Sequence, residues 1–145
     1  MNANGTRYAA QTVVPIERSK RHIEVLLMQH GAEAYHTGWD TTRDIIEFGW
    51  HGKQIRFVLP RYRPTDFKTQ RAYEQADRAR WRQLYLVIRA KIEAIEAGIA
   101  IFEEEFMAFI VVPGMNQTVG EILLPRIQAG TYDVTRALPA AVGAD

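Results

Sequence analysis

The two-residue interval His51-Gly52 is the strongest constraint on what this chain can fold into. It separates two alternating runs, 43–50 (RDIIEFGW) and 53–59 (KQIRFVL). A two-residue loop ending in glycine suits a type I′ or II′ hairpin, because turns of that hand match the twist of the strands they join. The loop also sets the register: Trp50 faces Lys53, Phe48 faces Ile55 and Ile46 faces Phe57. Side chains alternate along a strand, so Ile46, Phe48, Trp50, Ile55, Phe57 and Leu59 share one face, which must be the core face. The other face sets Glu47 opposite Arg56, Gly49 opposite Gln54 and Ile45 opposite Val58. Charge pairing and apolar pairing agree on one register. Residues 33–40 supply a third strand, making an antiparallel meander over about 33–59.

The rest of the chain reads as helices around that meander. Residues 1–6 are small and polar and are expected to fray. Residues 7–14 suit a short strand ended by Pro15. Ser19 is a good N-cap for a helix over about 20–30, where Ile23, Leu26, Leu27 and His30 fall at helical spacing and Gly31 fits the C′ position. A basic connector with two prolines follows at 60–68. A long helix is predicted over about 69–97, capped by Thr69, ended by Gly98 and spanning roughly 40 Å. Tyr73, Trp81, Leu84, Ile88, Ile92 and Ile95 form its apolar stripe. The segment 102–112 has helical spacing in Phe102, Phe106 and Phe109 and strand character from Phe109 to Val112. Thr118-Val119-Gly120-Glu121 has the form of a capping box and opens a last short helix, interrupted by Pro125. The fold class is α+β: a single domain over 1–130, followed by a loose C-terminal tail at 131–145.

Composition narrows the function classes. The chain has 145 residues, of which 47% are apolar and 24% charged, an ordinary globular balance. It has no cysteine, which removes disulfides, thiolate metal sites and cysteine nucleophiles. The opening residues MNANGTRYAAQTVV lack the basic start and apolar run expected of a secretory signal. Its densest apolar patches, Leu84–Ile88 and Phe106–Val112, fall far short of the roughly 20 residues that span a bilayer. A soluble, cytoplasmic protein with no membrane partner is expected. The net charge of +1 names no partner, so only the distribution of charge is informative.

That distribution singles out the long helix. At 100° per residue, Arg71, Arg78, Arg82 and Arg89 fall within an arc of about 40°. Such a row can track a phosphate backbone, with Tyr85 beside it offering a stacking face. Arg61, Arg63 and Lys68 in the connector extend the surface. The plainer reading is a solvated helix face with local pairs such as Glu74–Arg78, and Glu93 and Glu96 at the end of the row would repel phosphate. Trp50 and Trp81 are assigned to the core; Trp39 is less constrained and is open to exposure for stacking, with the core favoured. His22, His30, His36 and His51 lack metal-pair spacing, and the only serine, Ser19, is explained as a cap. No phosphate-binding glycine loop is present. Neither a cofactor, a metal nor a catalytic residue is assigned.

Asp40, Asp44 and Glu47 on the meander and the run Glu103-Glu104-Glu105 could hold Mg²⁺ for phosphodiester chemistry. The order helix, three strands, helix resembles the core of PD-(D/E)xK nucleases. The resemblance would make Asp44 the aspartate of the second strand. The third strand, however, carries Gln54-Ile55-Arg56 in place of acid, any residue, lysine. Gln is a poor ligand for Mg²⁺, and Arg cannot lose a proton to act as base. The glutamate run has its own explanation, because acids in a first helical turn favour the macrodipole.

Four segments carry a further resemblance: VPIERSKRHIEVLLMQHGA, IRFVLPR, RWRQLYLVIRAKIEAIEAGI and FEEEF, together covering about 14–106. They resemble an uncharacterised family of small proteins encoded in phages and prophages. That resemblance implies a bacterial host cytoplasm, with phage DNA metabolism or host interaction as the setting. It transfers no site residue. A three-stranded meander followed by a long helix is also similar to the core of single-strand annealing recombinases, which assemble into rings or filaments around a DNA strand. The expected function is a non-catalytic nucleic-acid-binding accessory protein, with single-stranded DNA favoured. The alternatives are a protein-interaction or self-assembly module, including a homo-oligomer, and a degraded nuclease fold.

Overall fold

The computed structural model describes residues 9–131. Helix α1 (Ile16–Gln29) leads into strands β1 (Ala34–Trp39), β2 (Arg43–Trp50) and β3 (Lys53–Pro60). A 3₁₀ turn (Pro64–Asp66) precedes the long helix α2 (Gln70–Glu96). Helix α3 (Phe102–Phe106) runs through a second 3₁₀ turn (Met107–Phe109) into β4 (Val111–Val112), which pairs with β5 (Gln117–Thr118), and α4 (Val119–Gln128) follows. The fold is α+β, with the antiparallel sheet ordered β1-β2-β3.

The hairpin has the register expected of it: Trp50 pairs with Lys53, Phe48 with Ile55, Ile46 with Phe57 and Glu47 with Arg56. His51 and Gly52 both adopt positive φ, 51° and 71°, as a type I′ turn requires. On the core face Ile46, Phe48, Trp50, Ile55 and Phe57 meet Ile23 and Leu27 of α1 and Trp81, Leu84, Ile88 and Ile92 of α2. Phe106 sits edge-on to Phe48, Trp50 and Phe57, with centroids 6.0, 6.1 and 6.3 Å away. On the opposite face Arg56 Nε donates to Glu47 Oε1 at 2.7 Å, and its two Nη atoms reach the carbonyl and side chain of Asn116.

The ends of α2 are as expected. Thr69 Oγ1 accepts from the amide of Ala72, and past Ala97 the chain turns at Gly98 with φ +73°. Ile95 is half-buried against the core, while Tyr73 packs outside it on Phe67. Helix α1 also closes beside a glycine, with the amide of Ala32 returning to the carbonyl of Leu27 and that of Gly31 to Met28.

Several expectations are corrected. Ala9 and Ala10 are helical and 12–15 carry no regular structure, so no strand forms over the described part of 7–14. The carbonyls of Ala10 and Thr12, free of a ladder, are taken by the Gln75 amide of α2. Ser19 is not a cap. Helix α1 starts one turn earlier, after Pro15, whose preset φ prepares the first turn. Ser19 is fully buried inside the helix, its Oγ unpartnered among the described residues. Trp39 lies at the end of the edge strand, opposite Asp44, and is 72% exposed. The segment 102–112 is helix first and strand second. Helix α4 is capped by Thr118, as expected, yet it runs through Pro125 and closes on Gly130 and Thr131. The N-terminal residues expected to fray, and the tail beyond Thr131, lie outside the described residues.

Two outcomes are expected. A Cβ added at Gly120 would sit 2.8 Å from the Ala108 carbonyl oxygen, a backbone atom that cannot swing aside. Gly120→Ala should therefore destabilise the chain by about 1–3 kcal/mol in urea denaturation. Tyr35 Oη donates to the Lys20 carbonyl at 3.3 Å. Burial, then the charges of Glu24 and Glu17, push its pKa from 10.0 to about 12. The raised folded-state value means that its contribution is fully present below pH 10.0 and is lost as pH climbs toward about 12. Tyr35→Phe should flatten that limb of the stability–pH curve.

Candidate nucleic-acid interface

The arginines of α2 sit in different surroundings. Arg71 is exposed in the first turn and has no ion-pair or hydrogen-bond partner among the described residues. Arg78 is half-buried and donates to Gln75 Oε1 at 2.7 Å. Arg82 donates to His22 Nδ1 of α1 at 2.9 Å, so the ring proton of His22 is on Nε2. The Arg82 guanidinium also lies 4.3 Å from the Tyr85 ring centroid, and Tyr85 in turn packs against His22 at 5.7 Å. Arg89 is exposed and bonds Glu93 at 3.0 Å. Helix α1 and the segment before it therefore lie along the middle of the row. Tyr85 is half-buried and in contact on both sides.

At the other end of the sheet the geometry gathers groups that sequence spacing leaves apart. Arg61 Nη1 donates to the Asp40 carbonyl at 3.0 Å, its Nε lies 3.6 Å from Asp44, and its guanidinium lies over Trp39, 5.3 Å from the ring centroid. Tyr62 is 42% exposed and leans on Phe67. Arg63 is exposed, with Asp66 at 3.5 Å, and Lys68 is exposed. Asp40 is turned into its own loop. It accepts from the amide and hydroxyl of Thr42 and from Arg43, bonds that pull its pKa from 3.8 to about 2. Guanidinium over indole, beside further exposed cations, suits phosphate contact and base stacking.

This surface rests on a buried ion pair that spacing alone does not reveal. Arg80 Nη2 donates to Asp44 Oδ2 at 2.6 Å and to Asp77 Oδ1 at 2.8 Å. Its Nη1 donates to the carbonyls of Pro60, at 2.7 Å, and Leu59, at 3.3 Å. Both the Asp44 and Arg80 side chains are 8% exposed. The available signal is the register: Asp44 shares the core face of β2 with Ile46, and an ionised carboxylate there needs a cation. The position that a nuclease would give to a metal ligand is thus committed to Arg80 and Arg61. Among the described residues no group of three histidine or carboxylate side chains is placed to hold a metal ion. No described helix is long and apolar enough to cross a membrane.

Comparison with protein-family models, curated proteins and solved structures finds no match to this chain.

Removing one partner of the buried pair should be costly. Asp44→Ala leaves the Arg80 charge with Asp77 and two carbonyls, so the loss is expected at the lower end of about 3–5 kcal/mol. Asp44→Leu combined with Arg80→Leu should lose less than the sum of the single variants. Urea denaturation of the set checks this.

Proposed function

We propose that the chain binds single-stranded nucleic acid, without catalysis, through the surface formed by Trp39, Arg61, Arg63 and Lys68. One observation carries this reading: an indole 72% exposed, with a guanidinium lying over one of its faces. An exposed tryptophan at a sheet edge is a stacking platform for an unpaired base, and every base has a face to stack. The cations of the connector meet the phosphates that flank such a base. Arg61 is held by Asp40 and Asp44 and so orients the indole, while Arg63 and Lys68 project freely. The resemblance of four segments to small phage and prophage proteins supports DNA metabolism in a bacterial host cytoplasm as the setting.

The three tryptophans make the test specific. Trp50 and Trp81 are 8% and 2% exposed, so quenching of the fluorescence by an oligonucleotide reports on Trp39. Wild type is expected to be quenched by a single-stranded oligonucleotide at about 50 mM salt and to lose binding steeply by about 200 mM. Trp39→Phe should abolish the quenching while retaining part of the affinity. Trp39→Ala should weaken binding by about 1–3 kcal/mol. Arg63→Gln with Lys68→Gln should lower the salt slope by about 0.7 per lost contact. Absence of binding at the low-salt end would sink the proposal.

A further inference from the structure

The surface around Trp39 holds a second exposed ring. Tyr62 stands between Arg61 and Arg63 in the connector and is 42% exposed. Phe67 meets it edge-on, with centroids 5.5 Å apart, and the Arg80 guanidinium lies over its ring, 5.6 Å from the centroid. Trp39 is arranged in the same way, with the Arg61 guanidinium over its ring at 5.3 Å. The two arrangements share one anchor. Asp44 Oδ2 lies 3.6 Å from Arg61 Nε and 2.6 Å from Arg80 Nη2. Ring, guanidinium, carboxylate, guanidinium and ring form one chain of contacts. Each ring is in place before a ligand arrives, and a side chain already fixed loses little entropy on binding.

The rings stand on different elements. Trp39 pairs with Asp44 across β1 and β2, and Asp44 pairs with Leu59 across β2 and β3. Trp39 and Leu59 are therefore two strand spacings apart, about 10 Å. Tyr62 comes after Leu59, beyond the Arg61 amide that donates to the Thr42 carbonyl, and packs toward α2. Consecutive bases of a stacked strand are separated by only about 3.4 Å. Two bases that occupy these rings have to be splayed from one another.

On the reading of this surface as a single-strand site, and resting on it, we infer that Tyr62 is a second base-stacking residue. The ligand is then an unstacked, pyrimidine-rich strand with bases splayed between Trp39 and Tyr62. Arg63 meets the phosphates beside Tyr62. Lys68 and Arg71 are exposed further along, and Arg71 has no ion-pair or hydrogen-bond partner among the described residues. Pyrimidines stack on their neighbours more weakly than purines, so a pyrimidine strand gives up less when its bases are pulled apart. A duplex keeps its base faces covered and offers neither ring a partner.

Fluorescence anisotropy of labelled oligothymidylates of graded length, at about 50 mM salt, tests this. Wild-type affinity should rise with length and level off once one strand reaches both rings. Tyr62→Ala should flatten that rise and weaken the longest strand between about fivefold and about a hundredfold. Tyr62→Phe should bind as wild type does, because stacking needs the ring and not the hydroxyl. Tyr62→Leu keeps an apolar side chain against Phe67, so it should melt as wild type does and bind as weakly as Tyr62→Ala. Oligodeoxyadenylate of equal length should bind more weakly than oligothymidylate, and a blunt duplex more weakly still. Binding by Tyr62→Ala equal to wild type at every length overturns the inference. So does full binding by Tyr62→Leu, which would reduce the ring to packing on Phe67, or equal affinity for oligodeoxyadenylate or the duplex. In those cases quenching of Trp39 fluorescence by the strand persists, and the reading of the surface stands without Tyr62. A wild-type chain whose Trp39 no strand quenches removes both.

Discussion

His51 and Gly52, at φ 51° and 71°, decide which side of the sheet every side chain from Arg43 to Pro60 faces. Side chains alternate with a period of two, so a slip of one residue would move Ile46, Phe48 and Trp50 to the face now held by Glu47 and Arg56. The turn therefore determines more than a hairpin. It gives the helices one continuous apolar surface to cover, and α1, α2 and α3 all bury their large side chains there. The same alternation carries Asp44 to the core face, where hydration cannot hold its charge. A cation must, and α2 supplies Arg80 next to Trp81, with Arg61 of the connector beside it.

That pair connects the core to the surface. A buried ion pair adds little net stability once desolvation is counted. Its consequence here is positional. Arg80 also takes the carbonyls of Leu59 and Pro60, which fixes the path by which the chain leaves β3. The next residue is Arg61, and from there its side chain reaches the Asp40 carbonyl and the Trp39 ring. The orientation of an exposed indole thus follows from a carboxylate placed by a two-residue turn. Each link is local: strand register, then buried charge, then connector path, then guanidinium over ring.

Legibility in the sequence divides along the same lines. Features set by neighbours in the chain are readable: the hairpin register, the Thr69 and Thr118 caps, the Gly31 and Gly98 stops. Each depends on a few adjacent residues whose chemistry leaves little choice. Features set by distant packing are not. Ser19 resembles a cap, but Pro15 starts the helix a turn earlier and Ser19 is enclosed. Trp39 has the chemistry of a core residue and stands exposed at the end of the edge strand. The arginine row of α2 is a true helical row, yet nothing within it tells that His22 will lie against Arg82, or that Tyr85 will be held on both sides. Arg80 falls outside the row and escapes a search for clustered charge, although the register demands a cation opposite Asp44.

The row reads differently once the whole circumference of α2 is considered. A helix of 27 residues is long for a sheet whose strands have six to eight. One sector covers the sheet, and a second, with Arg78 and Arg82, meets α1 and the segment before it. A solvated third sector would be expected to carry charge, since polar side chains keep an exposed helix face from associating. Here that sector is alanine, valine and one glutamine. Alanine suits a helix intrinsically, which accounts for its presence at any single position. It does not account for the absence of charge along the entire line while arginine and glutamate fill the sector beside it. Helix propensity is indifferent to which side of the helix a residue occupies, so a segregation this complete reflects what the side faces.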